Sequence, residues 1–212
     1  MALSKTAICN LALAHIGIDQ GIANLDTEQS KAARLCRQFY QHLLDEMLGD
    51  YAWTFACSAV KLATPIGDPP IGWGYQYSVP ADCLSPIKVC DYTGARYWNR
   101  WSLEGTQSQY PDIPFQRIRS ESTGTVVIAT DLPEAYLIYT ARVDNIAEMS
   151  AAFISAFAWR LAVELAMPMS VEPSLMNAAQ QNFAAALQLA HNKDARDQVY
   201  DPAQDSPSVQ VR

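Results

Sequence analysis

The chain has 212 residues, half of them hydrophobic, with a formal charge of −7 and a pI near 4.9. That much apolar side chain can form a core without disulfides or metal, and the acidic balance argues against a nucleic-acid reader, which needs clustered Lys and Arg to release counterions. Five cysteines, with no C-x-x-C pair and no secretory signal ahead of them, point to free thiols in a reducing compartment.

Ser4 predicts the cap of a first helix over residues 5–15, with Ile8, Leu11 and Ala12 facing inward and Gly17 ending it. The short link over 18–25 contains Gly21 and suits an antiparallel hairpin with a second helix. Asp26 or Thr27 is placed to cap that helix, with Gln29 as its capping-box partner and Glu28 at the positive end of the dipole. Cys36, Phe39, Tyr40, Leu43 and Met47 then recur at three- and four-residue steps, whereas Arg34, Arg37, Gln41 and Asp45 fall elsewhere on the wheel. Gly49-Asp50 predicts the stop, after which Trp53 and Phe55 alternate around Thr54 as in an extended segment. Tyr51, Trp53 and Phe55 therefore arrive at one spot, which is a packing device.

Between residues 64 and 80, prolines and glycines crowd around Trp73, Tyr75 and Tyr77, predicting a loop with aromatic anchors. Strand-like runs follow over 85–91, 96–103, 115–120, 125–130 and 135–141, separated by turn residues at Thr93-Gly94, Gly105, Pro111-Asp112 and Gly124. They predict an antiparallel β unit. Arg96 and Arg100, interleaved with Tyr97, Trp98 and Trp101, superficially resemble a base-stacking platform, but an ordinary aromatic β-hairpin is the expected reading and needs no ligand.

Ser150 predicts the cap of a helix running to Met167 and stopped by Pro168, and Glu172 or Ser174 starts a last helix to about Asp197, striped by Leu175, Ala179, Phe183, Ala186 and Ala190. The stretch 151–167 is at the lower length limit for spanning a membrane and carries Arg160 and Glu164 in its middle, so the expectation is a buried helix and no membrane partner. Four apart, those two residues share a face and can pair at the rim of a core or at a subunit contact. Residues 201–212 have no hydrophobic period.

The expected fold is α+β: mostly an α-helical bundle of two N-terminal and two C-terminal helices, with an inserted antiparallel β unit and an extended C-terminal tail. Its segments are 1–63 and 146–200 for the bundle, 64–145 for the loop and β unit, and 201–212 for the tail.

Chemistry is hard to find in the chain. His15, His42 and His191 have no Cys or His at metal-ligand spacing and fit solvated or capping roles. No G-x-S-x-G, P-loop, dinucleotide fingerprint or H-E-x-x-H occurs, so no cofactor or metal is expected. Cys36 and His42 fall on opposed faces of one helix, and Asp45-Glu46, Asp82 and Asp144 suit surface or capping positions. Two alternatives remain: a cytosolic thiol-dependent enzyme using Cys57 or Cys83 between helices and β unit, and a small regulatory binding module holding a peptide on Trp73, Tyr75 and Tyr77.

The order Ile8-Cys9-Asn10-x-Ala12-Leu13-x-x-Ile16-Gly17, Tyr51-x-Trp53-x-Phe55-Ala56 and Tyr75-x-Tyr77-x-x-Pro80-x-Asp82-x-Leu84 resembles the tail tubular protein A family of short-tailed bacteriophages, the head-to-tail adaptors, over residues 3–190. The resemblance implies a structural virion protein with no catalytic residues, assembled in the host cytoplasm. It implies a homo-oligomeric ring of about twelve copies, a closed assembly of heterologous contacts, at the head-tail junction. Its partners would be the portal protein and the tail nozzle, a tubular protein B-like component, and DNA would pass through its channel during genome ejection without sequence-specific binding. An acidic wall that does not grip phosphate suits such a channel. Subunit or portal contacts are expected at Arg160 and Glu164, and in the tail at Pro207, Val209, Val211 and Arg212, a segment suited to ordering on docking.

Overall fold

A computed structural model describes residues 3–63, 67–97 and 113–197. Among them the protein is α+β: helices at both ends of the chain flank two three-stranded antiparallel sheets.

Helix α1 (Lys5–His15) begins where the Ser4 hydroxyl accepts from the Ala7 N–H at 3.1 Å, and it ends at Gly17, whose φ of 76° is left-handed. It buries Ile8, Cys9, Ala12 and Leu13. Leu11, expected inward, is instead exposed, because Cys9 and Leu13 carry the other edge of the stripe. Asn10 clamps the following link, accepting from the Ile22 N–H at 2.7 Å and donating to the Ile22 carbonyl at 2.9 Å.

Helix α2 (Lys31–Gly49) starts later than its sequence suggests. Asn24 accepts from the Asp26 and Thr27 N–H groups and commits them to a turn, Glu28 reaches back to the Ala23 N–H, and Ser30 takes the cap by accepting from Ala33. The expected stripe is inward, with Cys36, Tyr40, Leu43 and Met47 buried and Phe39 packed at its margin.

The expected hairpin of α1 on α2 is replaced by a shared neighbour. Helix α4 (Ala151–Ala166), capped by Ser150 accepting from Phe153 at 3.2 Å, is apolar around most of its circumference and packs on α1, α2 and α5 (Pro173–Asp197). A helix that must be covered on several sides draws both N-terminal helices onto itself. On α5 the inner stripe is Met176, Ala179, Phe183, Ala186, Leu187 and Ala190; Leu175, expected in it, is exposed.

After α2 the chain turns tightly at 53–56, where the Ala56 and Cys57 N–H groups donate to the Trp53 carbonyl, so the expected extended run at Trp53–Phe55 is a turn. Strand β1 (Cys57–Lys61) begins beyond it and pairs with β6 (Tyr136–Ala141), whose other edge holds β3 (Cys83–Cys90). Thus β1, inside the 1–63 segment assigned to helices, is tied to the sheets. The second sheet holds β2 (Tyr75–Ser78), β5 (Val126–Thr130) and β4 (Phe115–Arg119) in that order. Strand β2 lies in the stretch expected to be loop, with Tyr77 and Gln76 both buried. A second core fills between the sheets, centred on Tyr77, Val89, Ile128, Leu137 and Tyr139.

The turn expected at Thr93-Gly94 is part of a short helix, α3 (Tyr92–Tyr97), because Asp91 caps it through the Gly94 N–H at 2.7 Å. Gly94 is required there: a Cβ would stand 2.7 Å from the Cys90 Cβ. Arg96 and Tyr97, expected in a strand, end that helix, and the rest of the 96–103 run lies outside the described residues.

Candidate functional site

The aromatic corner after α2 gathers rings from three parts of the chain. Trp53 is fully buried, and its indole N–H donates to the Met47 carbonyl at 2.8 Å, closing the end of α2. Its ring meets Phe153 edge-on at 4.9 Å, Tyr51 at 4.9 Å and His191 at 5.1 Å, while Tyr51 stacks on His191 at 4.3 Å. His191 is therefore a ring in a cluster joining α2, α4 and α5. Asp194, buried one turn further along α5, accepts from the Thr54 N–H at 3.0 Å and from its hydroxyl at 3.1 Å.

Arg160 is a junction of three helices. Its guanidinium donates to Glu164 on α4 at 2.5 Å, lies 3.3 Å from Glu46 on α2, and sits 5.9 Å from the Phe183 ring of α5. The side chain is only 18% exposed. The pair with Glu164 follows from its four-residue spacing; Glu46 and Phe183 had no signal in the sequence, lying 114 residues before and on a separate helix. The other expected contact residues, Pro207, Val209, Val211 and Arg212, lie outside the described residues.

Polar groups also tie α2 to the chain that leaves β6 and brace the strands themselves. Arg142, just past β6, makes a two-pronged contact to Asp45 of α2 at 3.0 and 2.6 Å, and Gln41 donates to Asp144 at 3.3 Å. Tyr139 donates to the Asp82 carboxylate at 3.1 Å, and Tyr77 to the Leu132 carbonyl at 2.7 Å. Asp82 and Asp144 lie at the surface as expected, and half-buried Asp45 also holds Arg142.

His15 stacks flat on Trp159, with centroids 3.6 Å apart, and its Nε2 is buried without a hydrogen-bond partner. Desolvation lowers its pKa. It too is a packing group, where a solvated or capping one was expected.

The thiols are free and four of the five are buried; only Cys36 is favoured to ionise, by its hydrogen bond with Cys9 and the nearby charge of Arg37, and it has no exposed surface. Burial, with Asp194 nearby, pushes Cys57 up to about 11, and burial, with Asp91, pushes Cys90 to about 11. Cys83 is raised by burial as well. Cys9 is held protonated by its hydrogen bond with Cys36 and by the apolar core around both. A reactive thiolate needs the opposite environment.

Among the described residues no group of three or more His, Cys, Asp or Glu is arranged to hold a metal ion, and no helix is long and apolar enough to cross a membrane. No protein-family model matches the chain, and no curated protein matches it either.

Proposed function

We propose that the protein is a structural head-to-tail adaptor of a short-tailed bacteriophage, a ring component between portal and tail nozzle around the DNA channel, and not an enzyme. In this reading the four long helices act as one bundle that meets the portal and neighbouring copies, and the strands form an insertion directed to the tail. The virion is its destination.

One observation carries the reading: the residues of the resembling motifs are committed to holding the chain together. Asn10 clamps a link, Trp53 closes a helix, Tyr77 donates to the Leu132 carbonyl, and Asp82 accepts from Tyr139. Raised thiol pKa values weigh against the thiol-enzyme alternative.

The test is to mix purified protein with the portal of the same virus and weigh the product by native mass spectrometry. A stoichiometric ring complex is expected, and absence of any association would sink the proposal. Removing residues 206–212 is expected to weaken that attachment while leaving the melting temperature of the free chain nearly unchanged.

A further inference from the structure

From Pro173 to Asn192, helix α5 holds no Asp, Glu, Lys or Arg, although the chain carries a charge of −7. Its inner stripe is used against α4 and the core, but a second line runs along its flank. Leu175 is 42% and Leu189 52% exposed, and Asn182 and Ala185 between them are exposed as well. Leu175, Asn182 and Leu189 stand one heptad apart, so they align along the helix, with Ala178 and Ala185 at the intervening small positions.

We propose that this line docks against the same line of a second copy of the chain, antiparallel, about a twofold axis through Asn182. Two acidic copies repel in most orientations, and this uncharged stretch lets them meet without setting like charges together. Antiparallel registration puts Leu175 of each copy opposite Leu189 of the other. At the axis Asn182 faces its own counterpart, and a carboxamide carries both donor and acceptor, so two can pair. The ends choose the direction: exposed Glu172 approaches Lys193 of the second copy, whereas parallel registration would set Glu172 against Glu172 and Lys193 against Lys193. The two helix dipoles also oppose favourably.

The contact spans about 21 Å of helix, at 1.5 Å per residue, and is small for a permanent interface, so association depends on concentration. The proposal concerns the free chain and does not rest on the adaptor reading, since a cyclic ring joins unlike faces.

Sedimentation equilibrium of the full chain, from low micromolar to near-millimolar concentration, tests it. A monomer–dimer equilibrium is expected. Leu189→Glu should weaken it by about tenfold or more without moving the melting temperature, as befits an exposed position. Lys193→Glu should weaken it too, and adding Glu172→Lys should restore it. Asn182→Cys with copper phenanthroline should give a disulfide-linked dimer, the two thiols losing their protons and two electrons to the oxidant, while the unsubstituted chain stays unlinked. A monomer at every concentration, which would leave the face to some other protein, overturns the proposal. So does a dimer indifferent to Leu189→Glu, a failure of the charge swap to restore association, or absence of the Asn182→Cys cross-link.

Discussion

Asp194 and Thr54, 140 residues apart, are joined by three hydrogen-bond distances of 3.0, 3.2 and 3.1 Å, from the Thr54 N–H and hydroxyl to one carboxylate. The contact pins the last turn of α5 onto the corner that leaves α2, beside the Trp53 cluster. A buried carboxylate is tolerated there because its partners come with the backbone of a tight turn.

Replacing Asp194 by Ala is expected to cost about 2–3 kcal/mol, the upper part of the range for hydrogen bonds to a charged group. That corresponds to roughly 4–12 °C in melting temperature for a chain of this size. Thr54→Val, which removes only the hydroxyl, should cost about 1 kcal/mol. Calorimetry of both variants decides the matter: equal and negligible losses would mean that the clasp does not hold α5.

Arg160 is predicted to matter within one chain before it matters between chains. Arg160→Met keeps an apolar stem and loses the ion pairs and the cation beside Phe183, for about 1 kcal/mol given how exposed the two glutamates are. Arg160→Glu adds a third carboxylate beside Glu46 and Glu164 and should cost about 2 kcal/mol or more. Urea unfolding measures both. If Arg160→Glu unfolds like the unsubstituted chain yet fails to assemble, the residue belongs to a subunit contact instead.

A pH dependence follows from His15. Its pKa is lowered by desolvation in the folded protein, so the unfolded chain, titrating near 6.5, takes up the proton first. Stability is therefore full above that value and falls as pH drops below it towards the folded pKa. His15→Phe preserves the stack on Trp159 and removes the titration, so its stability between pH 7 and 5 should be flatter. Parallel pH profiles for the two proteins would contradict the assignment.

The thiols offer a check on function. With Cys57 and Cys90 near 11, Cys83 raised, and Cys9 and Cys36 without exposed surface, alkylation at neutral pH should be slow throughout, and all five cysteines should react only after denaturation. One fast, selective thiol in the native protein would revive the thiol-enzyme reading.

What could be read in advance follows a physical division. Ser4 and Ser150 cap their helices as their positions suggest, and β4, β5 and β6 lie where the alternating runs put them, because these depend on neighbours a few residues away. The fold departs from the local pattern where a side chain offers the backbone a competing hydrogen bond. Asn24 preferred a turn over letting Asp26 or Thr27 cap α2, and Asp91 wound Thr93-Gly94 into a helix. Of the candidate contact site, the Arg160–Glu164 pair was legible from its spacing, and nothing local announced Glu46 or Phe183.

The sequence by itself determined the four long helices and most of their ends, the strands β3 to β6, and the concentration of aromatics at Tyr51, Trp53 and Phe55, since each is settled by backbone geometry and hydrophobic spacing over one or two turns. Only the tertiary structure decided that α4, more than α2, is the neighbour of α1, that His191 and Asp194 close the Trp53 corner, and that Arg142 grips Asp45. Those contacts join residues that come together only when the chain is packed. Their favourable energy exists only after the loop entropy between them has been lost, so no short window of sequence carries it.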